Sequence, residues 1–164
     1  MKRALLLFVW LSIFAGTVRG QDTPKAELSV DYSYFRAGGH GGVNLHGASV
    51  YAAGNINSWF GIAGDYGLYH RQPSEGGGVN IHTFMVGPRF SARTGRVTPF
   101  GQILLGGFHL RDTNGFAMSV GGGLDVNVTD HFAIRTFQLE YVLLHSEGDS
   151  LNSARVSTGV VFRF

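Results

Sequence analysis

Cysteine is absent from the 164 residues, so neither a disulfide framework nor thiolate chemistry is available. Charge is scarce as well. Asp, Glu, Lys and Arg make up 15% of the chain, against about 25% in ordinary soluble domains. Beyond residue 20 no stretch approaches the ~18 continuous apolar residues that read as a transmembrane helix. The surplus of positive charge is also smaller than the formal +2 implies. It depends on Lys2, Arg3 and Arg19, which fall in a leader; without them ten basic residues stand against eleven acidic ones. No electrostatic case for nucleic-acid binding remains.

What the chain has in quantity is glycine, 25 residues, and aromatics, 13%. That combination suits a sheet protein better than a helical enzyme. Residues 1–20 read as a secretory signal peptide. Lys2-Arg3 form a positive start, Ala4–Ala15 is apolar, and Val18-Arg19-Gly20 offers small or modest side chains before Gln21. The apolar run is too short to span a bilayer as a helix, and no cysteine at the junction supports lipidation. The expected division is therefore a leader over 1–20 and one domain over 21–164.

From Ala26 onward the sequence reads as strands and turns. Leu28, Val30, Tyr32 and Tyr34 alternate with Glu27, Ser29, Asp31 and Ser33 over Ala26–Arg36. Further strands are expected over Leu45–Ala53, Trp59–His70, Ile81–Ser91, Val97–His109, Phe116–Val128 and Phe132–Leu143, followed by a C-terminal strand. Pro88 should lie near a strand end or a bulge. Val97–His109 is apolar on both parities, so its facing stays open. Arg135 and Glu140 sit on opposite parities, a conflict that a bulge near Thr136-Phe137 resolves. Eight strands of about ten residues match the length a tilted strand needs to cross a bilayer. The connections Ala37–Asn44, Arg71–Asn80, Leu110–Gly115 (with an Asn-Gly turn signal) and His145–Asn152 are expected to be long. Gly54–Ser58, Ala92–Arg96 and Thr129–His131 are expected to be short turns.

The last ten residues place Val156, Thr158, Val160, Phe162 and Phe164 on one parity, and Arg155, Ser157, Gly159 and Arg163 on the other. This pattern resembles the terminal strand of Gram-negative outer-membrane barrels. Trp59-Phe60-Gly61, Gly87-Pro88-Arg89-Phe90, Thr98-Pro99-Phe100 and Val161-Phe162-Arg163-Phe164 extend the resemblance to the small eight-stranded OmpA/OmpX-type barrel family, across the whole mature chain. The resemblance implies an all-β, eight-stranded antiparallel up-and-down transmembrane barrel in the outer membrane, with both termini periplasmic. It also implies that Phe162 and Phe164 serve as a signal to the barrel-assembly machinery. Outer-membrane lipids and lipopolysaccharide are the implied surroundings, with a monomeric chain. The chain departs from the OmpA arrangement in showing no peptidoglycan-binding segment after the barrel, so no cell-wall tether is implied.

An eight-stranded barrel encloses an interior that side chains can fill. The parity of each strand places Asp31, Asp65, Arg89, Gln102, Asp125, Arg135 and Glu140 inside, where lone charges would be costly and should pair. Arg89, Gln102, Asp125 and Arg135 thread to the periplasmic half. The expected role of this network is a structural plug, with a narrow pore as the alternative. The expected lipid-facing set is Leu28, Val30, Tyr32, Phe60, Ile62, Tyr66, Phe84, Val86, Met118, Val120, Leu124, Val160 and Phe162. Tyr34, Trp59, Phe90, Phe132 and Phe164 would form aromatic girdles.

His40, His70, His82, His109 and His145, with His46 just below, thread to the outward end without the close spacing of a zinc motif. Surface roles are therefore expected for them, and no cofactor or metal is called for. His145-Ser146-Glu147 is the nearest approach to a lipid A hydrolase triad. Adjacent residues of a strand point to opposite faces, so no catalytic site is expected. The reading is a barrel with a structural or surface-interaction role. A lipid A-modifying enzyme is the alternative from another class, and a soluble lipocalin-like barrel is the remaining one.

Overall fold

Side-chain alternation organises every element. The structure, a computed structural model, describes residues 23–38, 42–71, 79–110, 113–146 and 149–164. Among them it contains eight strands and no helix: β1 (Ala26–Ala37), β2 (Val43–Asn55), β3 (Phe60–Arg71), β4 (Val79–Ser91), β5 (Val97–Leu110), β6 (Thr113–Asn127), β7 (Phe132–Ser146) and β8 (Asp149–Arg163). Each strand pairs antiparallel with the next, and β8 returns to β1, with Leu28 opposite Phe162 and Tyr34 opposite Val156. The result is a closed barrel, which leaves no strand edge unpaired. The anticipated leader lies outside the described residues.

Three turns, at 56–59, 92–96 and 128–131, sit at the end of the barrel where Ala26 and Phe164 exchange backbone hydrogen bonds of 3.2 and 2.9 Å. This is the turn end. Asn57 shapes the first turn, its Oδ1 accepting from the backbone N–H groups of Trp59 (3.0 Å) and Phe60 (2.7 Å). Gly95 shapes the second, adopting a φ of 56° that side-chain-bearing residues seldom take.

At the opposite end the strands run further than their hydrophobic patterns suggest. Of the expected loop Leu110–Gly115, Leu110 and Thr113–Gly115 are strand. Thr113 pairs with Leu110, Asn114 with His109 and Gly115 with Phe108, so the Asn-Gly dipeptide lies inside β6. His145, Ser146 and Asp149–Asn152 likewise belong to the β7–β8 ladder, with Ser146 opposite Asp149. Polar cross-strand pairs extend both hairpins: His109 Nδ1 lies 2.7 Å from Asn114 Oδ1, and His145 Nδ1 lies 2.8 Å from Ser150 Oγ. The expected contrast between long and short connections is therefore lost at these two hairpins. The glycine-rich stretch 72–78 falls outside the described residues.

Pro88 lies within β4 rather than at its end. The β4–β5 ladder lapses at residues 87 and 88 and resumes in the same register, Val86 opposite Leu105 and Arg89 opposite Gln102. A missing N–H thus interrupts pairing without a bulge. The bulge lies in β7. Leu124 pairs with Phe137 but Asp125 with Arg135, and on the other side Arg135 pairs with Gly159 but Gln138 with Ser157. Thr136 is the extra residue, its hydroxyl donating to the Leu124 carbonyl at 2.9 Å. Thr136 and Phe137 both point outward, which lets Arg135 and Glu140 both point inward.

The outward face is an apolar belt. Leu28, Val30, Tyr32, Ile62, Tyr66, Phe84, Val86, Val120 and Phe162 are all exposed on it, and Phe60, Met118, Leu124 and Val160 share it half-buried. Aromatic rings collect at the turn end. Trp59 stacks on Phe90 with centroids 6.0 Å apart, Phe60 meets Phe90 at 5.5 Å, Phe132 meets Phe162 at 5.7 Å, and Phe164 stands exposed nearby. Tyr34 marks the other end beside His46.

Candidate functional site

The interior divides along the barrel axis into two layers of different chemistry. Toward the end away from the termini it is apolar, with Phe35, Leu45, Ile81, Met85, Leu104, Phe108, Val142 and Leu144 packed into one cluster. Toward the turn end it is charged. Five arginines (Arg89, Arg93, Arg135, Arg155 and Arg163) and five carboxylates (Glu27, Asp31, Asp65, Asp125 and Glu140) are buried there, equal in number and opposite in sign. Charges withdrawn from water are tolerable only when paired and hydrogen-bonded, and these are.

Asp125 is the hub of the lower group. Its two oxygens accept from Arg135 Nε at 2.9 Å and from Arg89 Nη2 at 3.1 Å. Arg89 reaches on to Glu27 Oε2 at 2.6 Å, and Arg93 meets the other Glu27 oxygen at 3.0 Å. Arg135 Nη1 donates to Asp31 Oδ2 (3.1 Å) and Gln138 Oε1 (2.9 Å), while Ser29 supports Asp31. Arg163 sits at the mouth, donating to Asn127 Oδ1 and lying 3.7 Å from Glu27. Two aromatic rings keep the like-charged guanidiniums in place. Arg89 lies 4.2 Å and Arg135 4.8 Å from the Phe100 centroid, and Tyr51 flanks both at 5.4 and 4.8 Å.

The upper group surrounds one cation. Arg155 donates to Asp65 Oδ1 at 2.7 Å, to Glu140 Oε2 at 2.6 Å and to the Tyr69 hydroxyl at 2.5 Å. Gln102 joins the two groups, accepting from the Tyr51 hydroxyl at 2.8 Å and donating to Glu140 Oε1 at 3.1 Å. Ser119 completes the Glu140 shell at 2.7 Å. Glycine makes this packing possible. A Cβ on Gly121 would press on the Glu140 side chain at 2.7 Å, and one on Gly123 would press on the Phe100 ring at 2.9 Å.

The structure thus brings Arg89, Asp125, Arg135 and Asp31 into one group, and Asp65 and Glu140 into another, with Gln102 between them. Sequence reasoning missed Glu27, Arg93, Arg155 and Arg163, and the tyrosines Tyr51 and Tyr69. The signal was present for Glu27, Arg155 and Arg163, each on the inward parity of its strand. What parity could not show was that Arg155 is the sole cation between Asp65 and Glu140.

The histidines are elsewhere. His46, His70, His82, His109 and His145 all lie on the outer surface near the end away from the termini, and His40 is outside the described residues. Among the described residues no three His, Asp or Glu side chains gather as metal ligands. His145 Nδ1 meets Ser150, and Ser146 Oγ donates to the Asn114 carbonyl at 3.0 Å. Each is therefore engaged with a different partner, and Glu147 lies outside the described residues.

A closed, up-and-down, eight-stranded antiparallel barrel with an apolar outer belt and a filled polar interior is the fold of transmembrane β-barrels. No family model matches the chain, and no curated protein sequence matches it. Solved structures do. Neisserial surface protein A aligns with a TM-score of 0.71 at 15% identity over 88% of this chain and 100% of its own. Ail, the attachment invasion locus protein of Yersinia pestis, aligns at 0.63 and 18% identity over 87% and 99%. The outer membrane protein OprG of Pseudomonas aeruginosa aligns at 0.58 and 8% identity over 90% and 99%. The chain shares the fold of these small outer-membrane barrels.

Proposed function

We propose that this protein is an integral outer-membrane barrel, with its turn end and both termini periplasmic. Its lumen is closed, and it serves a structural or surface-interaction role rather than a catalytic one. The observation that carries the reading is the two-layer interior: an apolar layer stacked on a neutral, hydrogen-bonded charge lattice leaves no continuous wet path. The apolar outer belt with aromatic rings toward both ends fits a bilayer between two interfaces. Lipopolysaccharide and phospholipid are then the surroundings, and the C-terminal strand ending in Phe162 and Phe164 is the segment offered to the assembly machinery.

Protein purified from outer-membrane fractions is expected to migrate differently on SDS gels before and after boiling, and to give no stepwise conductance in planar bilayers. A single band from a soluble periplasmic protein would defeat the membrane reading. Regular conductance steps from the folded form would favour the narrow pore.

The bulge offers a second test. Deleting Thr136 removes the parity correction, so either Arg135 or Glu140 must turn toward lipid. A misplaced arginine alone costs about 2–4 kcal/mol at the bilayer midplane. The deletion is expected to abolish the fast-migrating folded band; an undiminished folded band would show that the bulge does not set the register.

A further inference from the structure

Four consecutive strands, β2 to β5, each end their outward apolar row on a histidine: His46, His70, His82 and His109. The imidazoles are neighbours by register, with His46 opposite His70 and His82 opposite His109, the latter rings 6.3 Å apart. Among the described outward residues of β2 to β5 there is no Asp, Glu, Lys or Arg. Below the histidines the same strands form an apolar groove of about 540 Å³, floored at Ala52 and Gly64 and walled by Tyr66, Phe84, Val86 and Leu105. That volume lies within the roughly 300–1,000 Å³ of built ligand sites. Groove and belt are continuous, because the Tyr66 hydroxyl that rises from the groove lies 3.1 Å from His82 Nδ1.

We infer that this face is a site for an anionic, phosphate-bearing lipid of the surrounding leaflet, its acyl chain in the groove and its phosphate on the histidine belt. The inference rests on the membrane reading above. The imidazoles are set up for such a ligand by their own partners. Tyr32 occupies Nδ1 of His46 at 2.6 Å, and Asn80 and Asn114 take Nδ1 of His70 and His109 at 2.5 and 2.7 Å. An amide oxygen only accepts, so it holds the proton of His70 and His109 on Nδ1. Nε2 of these two rings, which makes no hydrogen bond among the described residues, is then a donor only in the protonated form. The Tyr32 and Tyr66 hydroxyls, which can donate to Nδ1 of His46 and His82, leave those two rings an outward Nε2–H for the phosphate. Among the described residues, the other titratable or charged groups facing the belt are Tyr32, Tyr34 and Arg36 on β1 and Tyr66 on β3; β6 presents Asn114. Arg36, near Asn44 at the edge of the belt, has the sign that suits an anion.

The test is native mass spectrometry of the folded barrel in detergent, with phosphatidylglycerol and phosphatidylcholine of identical acyl chains as probes. Phosphatidylglycerol is expected to be retained roughly tenfold better, a preference of the size one charge-assisted contact supplies. The combined variant His46→Gln, His70→Gln, His82→Gln, His109→Gln should lose the preference while keeping the heat-modifiable band. Gly64→Leu should lower retention of both lipids. Its Cβ meets only the Met85 carbonyl at 3.8 Å, so the side chain fits and fills the groove. Equal retention of the two lipids, or a preference that survives the four substitutions, would overturn the inference. Displacement of phosphatidylglycerol by inorganic phosphate would do the same, assigning the belt to a free anion. A folded membrane barrel without lipid preference defeats this inference alone, whereas a soluble chain defeats the membrane reading itself.

Discussion

Arg135→Ala is expected to destabilise the folded barrel by about 3–5 kcal/mol while leaving it electrically silent. The side chain is fully buried and holds Asp125 at 2.9 Å, Asp31 at 3.1 Å and Gln138 at 2.9 Å, and it stacks against Phe100 and Tyr51. Its removal leaves Asp31 without its ion-pair partner and Asp125 with Arg89 and a distant Arg163. An uncompensated charge in a water-poor interior is costly, and that penalty dominates the loss of one side chain. Conductance should stay near zero because the apolar layer around Leu104 and Phe108 is untouched. Urea titration of the folded band in lipid vesicles measures the first effect, and planar-bilayer recording the second. A stably folded variant that conducts strongly would mean that the charge lattice, not the apolar layer, closes the lumen.

The second large effect separates pairing from packing. Arg155→Ala removes the one cation between Asp65 and Glu140 and should also cost about 3–5 kcal/mol. Replacing the whole set, with Arg155→Met, Asp65→Leu and Glu140→Leu together, should recover most of that loss. Burying three apolar side chains avoids the desolvation that the ions incur, and such exchanges are often neutral or stabilising. Denaturant midpoints of the two variants in the same vesicles decide the matter. A triple variant as unstable as the single one would show that the ionic group itself contributes net stability. A triple variant that is stable but misregistered, seen as a diffuse folded band, would assign the group to register instead.

Both expectations depend on interior geometry that only part of the chain advertises. The facing of Asp31, Asp65 and Asp125 follows from a period of two, since every second residue must meet the same environment. The β7 bulge was legible from a contradiction: Arg135 and Glu140 cannot both face inward without an extra residue, and Thr136 supplies it. Arg155 was visible as a polar residue on the inward parity of β8, but its partners stand on β3 and β7, at sequence separations of 90 and 15. Parity assigns a face and says nothing of distance around a barrel. The extent of β5 to β8 was misjudged because their ends carry His, Asn, Ser and Gly. Those residues read as loop by type, yet pair across the ladder through side-chain hydrogen bonds.

The amino-acid sequence by itself determined the strand count, the two faces of most strands and the need for a bulge. All of these are local consequences of alternating hydrophobicity. Closure of β8 on β1 and the resolved facing of β5 came from the tertiary structure. So did the separation of the interior into an apolar and a charged layer, and the alignment of four histidines above one apolar groove. These features depend on stagger between strands, which sets which residues share a height, and a single strand's pattern carries no information about its neighbour's height.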